Sequence, residues 1–261
     1  MSRRTDPMLL AVGTLTVLRV RPPSAVDRRV GSWAMTLAPL VGMLLAVAAA
    51  TFLWLLSAAA PPTLAAALTL ALLAVLTRAM HLDGLADTAD GLGSGRPADQ
   101  ALAVMRRSDI GPFGVVTLVL VLLVQALALG ALTGAGTGPA AVAVALVASR
   151  LVLPAVCLRG IPAARPEGLG QVVAGSVSWG QLLLTSVTAA VVLVLLAVAA
   201  APTDIGLFLA AVGAAVLGAV VAAGGLCLRC VRRLGGVTGD VLGGCVEVAF
   251  TAALVVLALL A

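Results

Sequence analysis

His81-Leu-Asp-Gly-Leu-Ala-Asp-Thr-Ala-Asp-Gly91 follows directly on the apolar run Thr63–Met80, and the two together decide how this chain is read. Asp83, Asp87 and Asp90 stand at i, i+4 and i+7. In a helix of ~3.6 residues per turn they fall within roughly 60° of one another. Three acids on one face resist ionising together unless a cation neutralises them. Mg²⁺ or Mn²⁺ takes oxygen ligands and commonly bridges to substrate phosphates. A membrane boundary needs solvated acids but no particular register. The register, with Gly84 and Gly91 clearing room for a ligand, therefore points to metal-dependent phosphotransfer at a membrane surface. Asp83, Asp87 and Asp90 are the expected metal ligands and catalytic groups.

The surroundings agree with a membrane setting. Of 261 residues, 62% are hydrophobic and 10% charged, where soluble domains carry about 25% charged residues. The mean hydropathy is +1.18. Long runs of Leu, Val and Ala imply helices rather than a barrel. The expectation is an all-α, polytopic integral membrane protein, one domain over 1–261. All 16 basic residues are arginines. Their excess reads as membrane topology, with no nucleic-acid partner. Cys227-x-x-Cys230 has no second pair of ligands, so the four cysteines read as small membrane-helix hydrophobes. Arg3 and Arg4 precede an apolar stretch that lacks a cleavage site, which argues against a signal peptide.

Seven spans are predicted: Trp33–Ala59, Thr63–Met80, Phe113–Leu132, Pro139–Leu158, Gln181–Ala201, Ile205–Leu226 and Val241–Leu260. Met8–Val20 falls short of the ~20 residues needed to cross and is expected to be interfacial or re-entrant. With the N-terminus inside, segments 1–32, 81–112, 159–180 and 227–240 face the cytoplasm. Every arginine then lies in them except Arg78 and Arg150, which lie within spans towards the inner ends. Segments 60–62, 133–138 (an uncharged turn) and 202–204 (a tight turn) carry no arginine. So clean a split fixes the expected orientation. It puts every loop with chemistry in it on the cytoplasmic side.

Other candidates sit on that side. Met105-Arg-Arg-Ser-Asp-Ile-Gly-Pro-Phe-Gly114 offers Arg106 and Arg107 to grip phosphate in a fork. It also offers Ser108, then Asp109 as a metal ligand or arginine partner, and Gly111 and Gly114, whose N–H groups can approach an anion. Arg78 is a further substrate-binding candidate. Arg150 and Glu247 enter their spans to similar depth and are candidate partners; intramembrane charges are functional hypotheses by default. The alternative is a structural pair, or Arg150 snorkelling to the interface. His81, the single histidine, is either an acid–base group or a hydrogen-bonding spacer. Arg165 and Glu167 lie in a Gly-rich loop suited to a ligand. Leu234–Gly244 leads into the last helix as a phosphate seat, or else Asp240 only caps that helix.

These residues resemble the cobalamin synthase family, the adenosylcobinamide-GDP ribazoletransferases. The likeness runs through Leu15–Pro22, Ala38–Gly42, His81–Gly91, Met105–Gly114, Ser149-Arg150, Ala164–Gly170 and Leu234–Leu242. The acidic motif and Gly-Gly-x-Thr-Gly-Asp, met in that order, are its specific parts. One departure stands out: the family more commonly has Asp before the serine and a basic residue after it, so Arg107 and Asp109 have exchanged places. The resemblance implies Mg²⁺ as cofactor, with adenosylcobinamide-GDP and α-ribazole (or its 5′-phosphate) as substrates. GMP leaves, and adenosylcobalamin or its 5′-phosphate forms. In that reading the three aspartates hold one or two Mg²⁺ against the diphosphate, and Arg106 or Arg107 steadies the leaving GMP. An aspartate or His81 takes the proton of the attacking hydroxyl. The resemblance also implies the inner face of a bacterial cytoplasmic membrane; the lipid bilayer is the expected partner, and a homo-oligomer is compatible with it.

Two rivals are weaker. A CDP-alcohol phosphotransferase has Asp-Gly-x-x-Ala-Arg followed by Gly-x-x-x-Asp-x-x-x-Asp; here Asp83-Gly84 continues Leu85-Ala86-Asp87 and the downstream spacing is absent. An ion-coupled transporter needs charges near mid-membrane on several spans, whereas these acids gather at one face.

Overall fold

Apolar runs punctuated by Pro, Gly and short polar caps fold as helices, and the computed structural model, which describes residues 5–199 and 204–261, contains no strand beyond isolated bridges among them. Arg3, Arg4 and residues 202 and 203 of the expected turn lie outside the described residues. The helices are α1 (Asp6–Leu15), α2 (Arg28–Ser57), α3 (Pro62–Leu76), α4 (Met80–Gly93), α5 (Ala98–Val104) and α6 (Pro112–Gly134). They continue with α7 (Gly138–Val156), α8 (Leu169–Val173), α9 (Trp179–Ala199), α10 (Ile205–Leu234) and α11 (Gly239–Leu260). Their starts follow from local chemistry. Asp27 and Thr238 cap α2 and α11 by accepting from Val30 and Val241 N–H, and Pro occupies the first turn of α3, α6 and α7.

Six helices (α2, α6, α7, α9, α10, α11) are long and apolar enough to cross a membrane; α3 with α4 makes the seventh only as a bent pair. This is the multi-pass all-helical architecture expected. Helix α7 is its axis, packed against α2, α6, α9, α10 and α11. Buried residues make up 78% of its most apolar stretch, against 17–33% in α2, α6, α9 and α10. Gly42 of α2 permits the close approach, since a Cβ there would sit 2.9 Å from the Leu146 carbonyl. Helix α1 is too short to cross, as expected, and packs on α2.

Three boundaries differ from the sequence reading. Helix α2 begins before Trp33, at Arg28, where Asp27 supplies the cap. Helix α10 continues to Leu234 rather than ending at Leu226, so Arg229, Arg232 and Arg233 ride on its last turns before the left-handed Gly235 (φ +82°) closes it. Most consequentially, Thr63–Met80 is not one straight span. After Leu76 the chain passes through Arg78 and Ala79, both left-handed (φ +56° and +52°), and turns 90° into α4. Such a conformation costs a non-glycine residue roughly 1–2 kcal/mol. It is held by bonds to the freed carbonyls: Ala79 N–H to Ala74 O at 2.6 Å and Val17 N–H to Leu76 O at 2.6 Å.

The turn lays α4 across the ends of α11 and α6 that adjoin the arginine-bearing segments. At the same end, the loop 157–178 is stitched to the α10–α11 turn by Ala164 N–H to Val237 O and Val237 N–H to Pro162 O. Helix α4 meets α11 through small residues. A Cβ on Gly84 would stand 2.6 Å from the Asp240 carbonyl oxygen, with backbone rather than a flexible side chain in the way. Gly84→Ala is therefore expected to prise α4 off α11, at a cost of about 1–3 kcal/mol, read as a lower unfolding temperature in detergent.

Candidate active site

Helix α4 carries all three motif aspartates, but the structure gives them two different surroundings. Asp83 is exposed and Asp87 half-buried, one turn further on. Neither carboxylate makes a hydrogen bond or ion pair within the protein among the described residues. Asp90 is buried, and both its oxygens are engaged: Oδ2 accepts from Gly111 N–H at 2.7 Å and Oδ1 from Gly114 N–H at 2.9 Å. Gly111, the N-cap of α6, has no side chain to cap with, so Asp90 caps that helix from α4. The anion that the Gly-Pro-Phe-Gly amides approach is thus the protein's own.

Asp240 joins Asp83 and Asp87 instead. It stands in the first turn of α11, directly beneath Gly84. The cap of α11 is Thr238, not Asp240; Thr238 Oγ1 also donates to Asp240 Oδ2 at 3.1 Å. Arg165 reaches in from the loop 157–178, its Nη1 3.5 Å from Asp240 Oδ2 and its Nη2 donating to Leu102 O at 2.8 Å. Oδ2 is therefore occupied, while Oδ1 has no partner among the described residues. The outcome is a carboxylate face with too few cations. Burial pushes Asp87 up to about 7, and the Asp83, Asp240 and Asp90 charges push the same way against the weaker pull of Arg165.

The remaining candidates divide. Arg106 and Glu167 meet at 2.6 Å in an exposed ion pair joining the end of α5 to the loop 157–178; such a pair contributes little stability and lies at the rim. Arg107, Ser108 and Asp109 are exposed in the same connection. Arg78 is drawn away, its guanidinium donating to Gly13 O at the end of α1 at 2.8 Å. His81 is 3% exposed, with both ring nitrogens buried and unpaired, packed beside Gly243 of α11. Arg150 and Glu247 line one internal cavity of about 20 Å³ but form no ion pair. Glu247 accepts from Gln125 Nε2 at 3.1 Å, and Arg150 donates to Ser149 Oγ at 2.8 Å. Gln125 is a member of this cluster that the sequence motifs do not include. Its signal was available: a lone amide inside the apolar run of α6.

Among the described residues no three His, Cys, Asp or Glu side chains converge tightly enough to hold a metal ion unaided. The donor set fits Mg²⁺ nonetheless, because that ion is commonly bound through one or two carboxylates and completes its shell with water and substrate phosphate. Asp83 and Asp87 are such a pair.

Relatives matching nearly the whole chain place it among the transferases. The adenosylcobinamide-GDP ribazoletransferase of Frankia casuarinae is 40% identical over 94% of this chain and 91% of its own. Its namesake in Nocardioides sp. is 41% identical over 95% and 96%, and that of Stutzerimonas stutzeri 39% over 97% and 98%. The family model described as cobalamin-5-phosphate synthase matches residues 7–258, and the chain belongs to that family. No solved structure matches it.

Proposed function

We propose that this protein transfers the adenosylcobinamide phosphate arm of adenosylcobinamide-GDP to α-ribazole or its 5′-phosphate, releasing GMP, at the cytoplasmic face of a bacterial inner membrane. The observation that carries this reading is the under-neutralised carboxylate face of Asp83, Asp87 and Asp240, set beside Arg165 on a helix lying across the arginine-bearing end of the bundle. A site of that charge suits a diphosphate that arrives with a divalent cation. The absence of arginine from the opposite connections supports the orientation.

Asp83 and Asp87 would hold Mg²⁺, which supplies charge neutralisation to the diphosphate and to the departing GMP. Asp240 is oriented through Oδ2 by Arg165 and Thr238, and its free Oδ1 accepts the proton of the ribose hydroxyl. The deprotonated ribose oxygen forms the new bond to the phosphorus bearing the corrinoid arm. The bond from this phosphorus to the bridging oxygen breaks, and the electron pair leaves with GMP. The exposed Arg106 and Arg107 stand at the rim, where a guanidinium can take the guanylate phosphate. A direct displacement needs no covalent intermediate.

The test is purified protein in a bilayer with Mg²⁺, adenosylcobinamide-GDP and α-ribazole. GMP and the complete corrinoid should form in equal amounts and stop on chelation; turnover that survives exhaustive chelation would refute the metal role.

A pH dependence follows. A carboxylate must lose its proton to bind a metal, so Mg²⁺ affinity should rise as pH passes through about 7, the value to which Asp87 is pushed. The metal-free protein should move the other way. Asp87 ionises less readily folded than unfolded (~3.9), so its contribution to stability falls from about pH 4 upward and is fully lost above about 7. Unfolding temperatures with and without Mg²⁺ across pH 5–9, read on the wild type and Asp87→Asn, separate the two trends; the variant should show neither.

A further inference from the structure

A second polar cavity lies at the arginine-bearing end, and none of its lining residues belongs to the acidic face. It measures about 530 Å³ and opens between the N-terminal ends of α2 and α9 and the loop 157–178. Arg28 and Arg29 come from α2, Arg159 from the loop. Arg28 forms part of the wall, bonded through Nη2 to Ala174 O at 3.0 Å and through Nη1 to Gln171 O at 3.4 Å. The guanidinium groups of Arg29 and Arg159 make no hydrogen bond or ion pair among the described residues. No acidic side chain lines the cavity; the nearby Asp27 caps α2 through Val30 N–H.

Gln181 shows that the donors here are arranged. Ser178 and Gln181 form a reciprocal cap on α9: Gln181 N–H donates to Ser178 Oγ at 3.3 Å, and Ser178 N–H donates to Gln181 Oε1 at 2.9 Å. Two hydroxyls, of Ser178 and of Ser32 from α2, also donate to Oε1, each at 2.9 Å. Three donors on one oxygen fix which end of the amide is which. The NH₂ group is left without a protein acceptor among the described residues, on the cavity wall. A glutamate would close the same cap but bring a negative charge; glutamine closes it and leaves a donor. The positive ends of α2 and α9 add to the same field. Trp33, on the cavity rim, and Trp179 are 37% and 69% exposed, and tryptophan at a helix end marks the headgroup level.

We propose that this cavity binds a phosphate group at the membrane surface, held by Arg29, Arg159 and the Gln181 amide. The two sources of that chemistry are an anionic phospholipid headgroup and free phosphate; basic pockets between spans on the cytoplasmic side suit the first. The proposal is independent of the acidic site.

The test uses the full chain, wild type against Arg29→Gln/Arg159→Gln and, separately, Gln181→Glu. Both variants change exposed or cavity-lining groups, and the second preserves the cap of α9. Each protein is placed in phosphatidylcholine nanodiscs, with or without phosphatidylglycerol, and in phosphatidylcholine with millimolar inorganic phosphate. Unfolding temperature is measured in each, and retained lipid by native mass spectrometry. The wild type should keep a phosphatidylglycerol through detergent washing and gain stability from it, while both variants retain at least tenfold less and match the wild type in pure phosphatidylcholine. Stabilisation of the wild type alone by inorganic phosphate, with no preference for phosphatidylglycerol, upholds the site and assigns it to soluble phosphate. Equal responses of wild type and variants to both additives overturn it, as does a loss of stability by both variants in pure phosphatidylcholine with lipid retention unchanged.

Discussion

Asp87→Asn is expected to insert and fold like the wild type with no loss of stability, yet to lose turnover by roughly 10²-fold or more. The asymmetry follows from what Asp87 touches. Its carboxylate makes no hydrogen bond or ion pair within the protein among the described residues, so the fold has no bond to lose. Burial and three neighbouring carboxylates oppose its charge, so an amide should leave the metal-free protein as stable as before at about pH 4 and increasingly more stable than the wild type as pH rises towards about 7. Only a cation or a substrate profits from the negative charge there. Unfolding temperature and GMP release measured on one preparation decide the matter. Full turnover in a well-folded Asp87→Asn enzyme would remove the carboxylate face from the chemistry.

Asp90→Ala should fail in the opposite way, by losing the fold. Truncation strips the acceptor from two N–H groups at the start of α6, those of half-buried Gly111 and buried Gly114. Hydrogen bonds to a charged group contribute about 1.5–3 kcal/mol each, so on the order of 3–6 kcal/mol is at stake. That is a large share of a domain's usual 5–15 kcal/mol. Asp90→Asn should fall between, since its one oxygen serves one amide and its NH₂ confronts the other. Poor recovery of Asp90→Ala from membranes, beside normal recovery of Asp87→Asn, would separate a structural aspartate from a functional one on the same helix. A stable Asp90→Ala protein with merely reduced activity would contradict the capping role.

Periodicity and charge made most of the architecture readable before any coordinates. Hydrophobic runs place seven candidate spans and leave α1 too short to cross, and arginine distribution gathers the motif-bearing loops at one end. The i, i+4, i+7 spacing correctly puts Asp83, Asp87 and Asp90 on one helix. It could not say that the last of them is turned to α6, because that depends on a contact across more than twenty residues with amides that carry no side-chain signal. Asp240 was readable as a helix-start residue, but its place beside Asp83 and Asp87 depends on α4 crossing α11 at Gly84. The break after Leu76 was hidden for a related reason. Arg78 and Ala79 are not turn formers, and what holds them left-handed is help from α1, through Val17 N–H and the Arg78–Gly13 bond.

Helix α3 has 15 residues, a rise of roughly 22 Å against a hydrocarbon layer of about 30 Å. A rod shorter than the oil around it draws the two leaflets together or slides towards one of them. Because α3 turns through a right angle into α4, vertical sliding of the first becomes a rise or fall of the second against α11. That right angle ties the level at which α3 sits in the bilayer to the place of α4 against α11, the helix that carries Asp240.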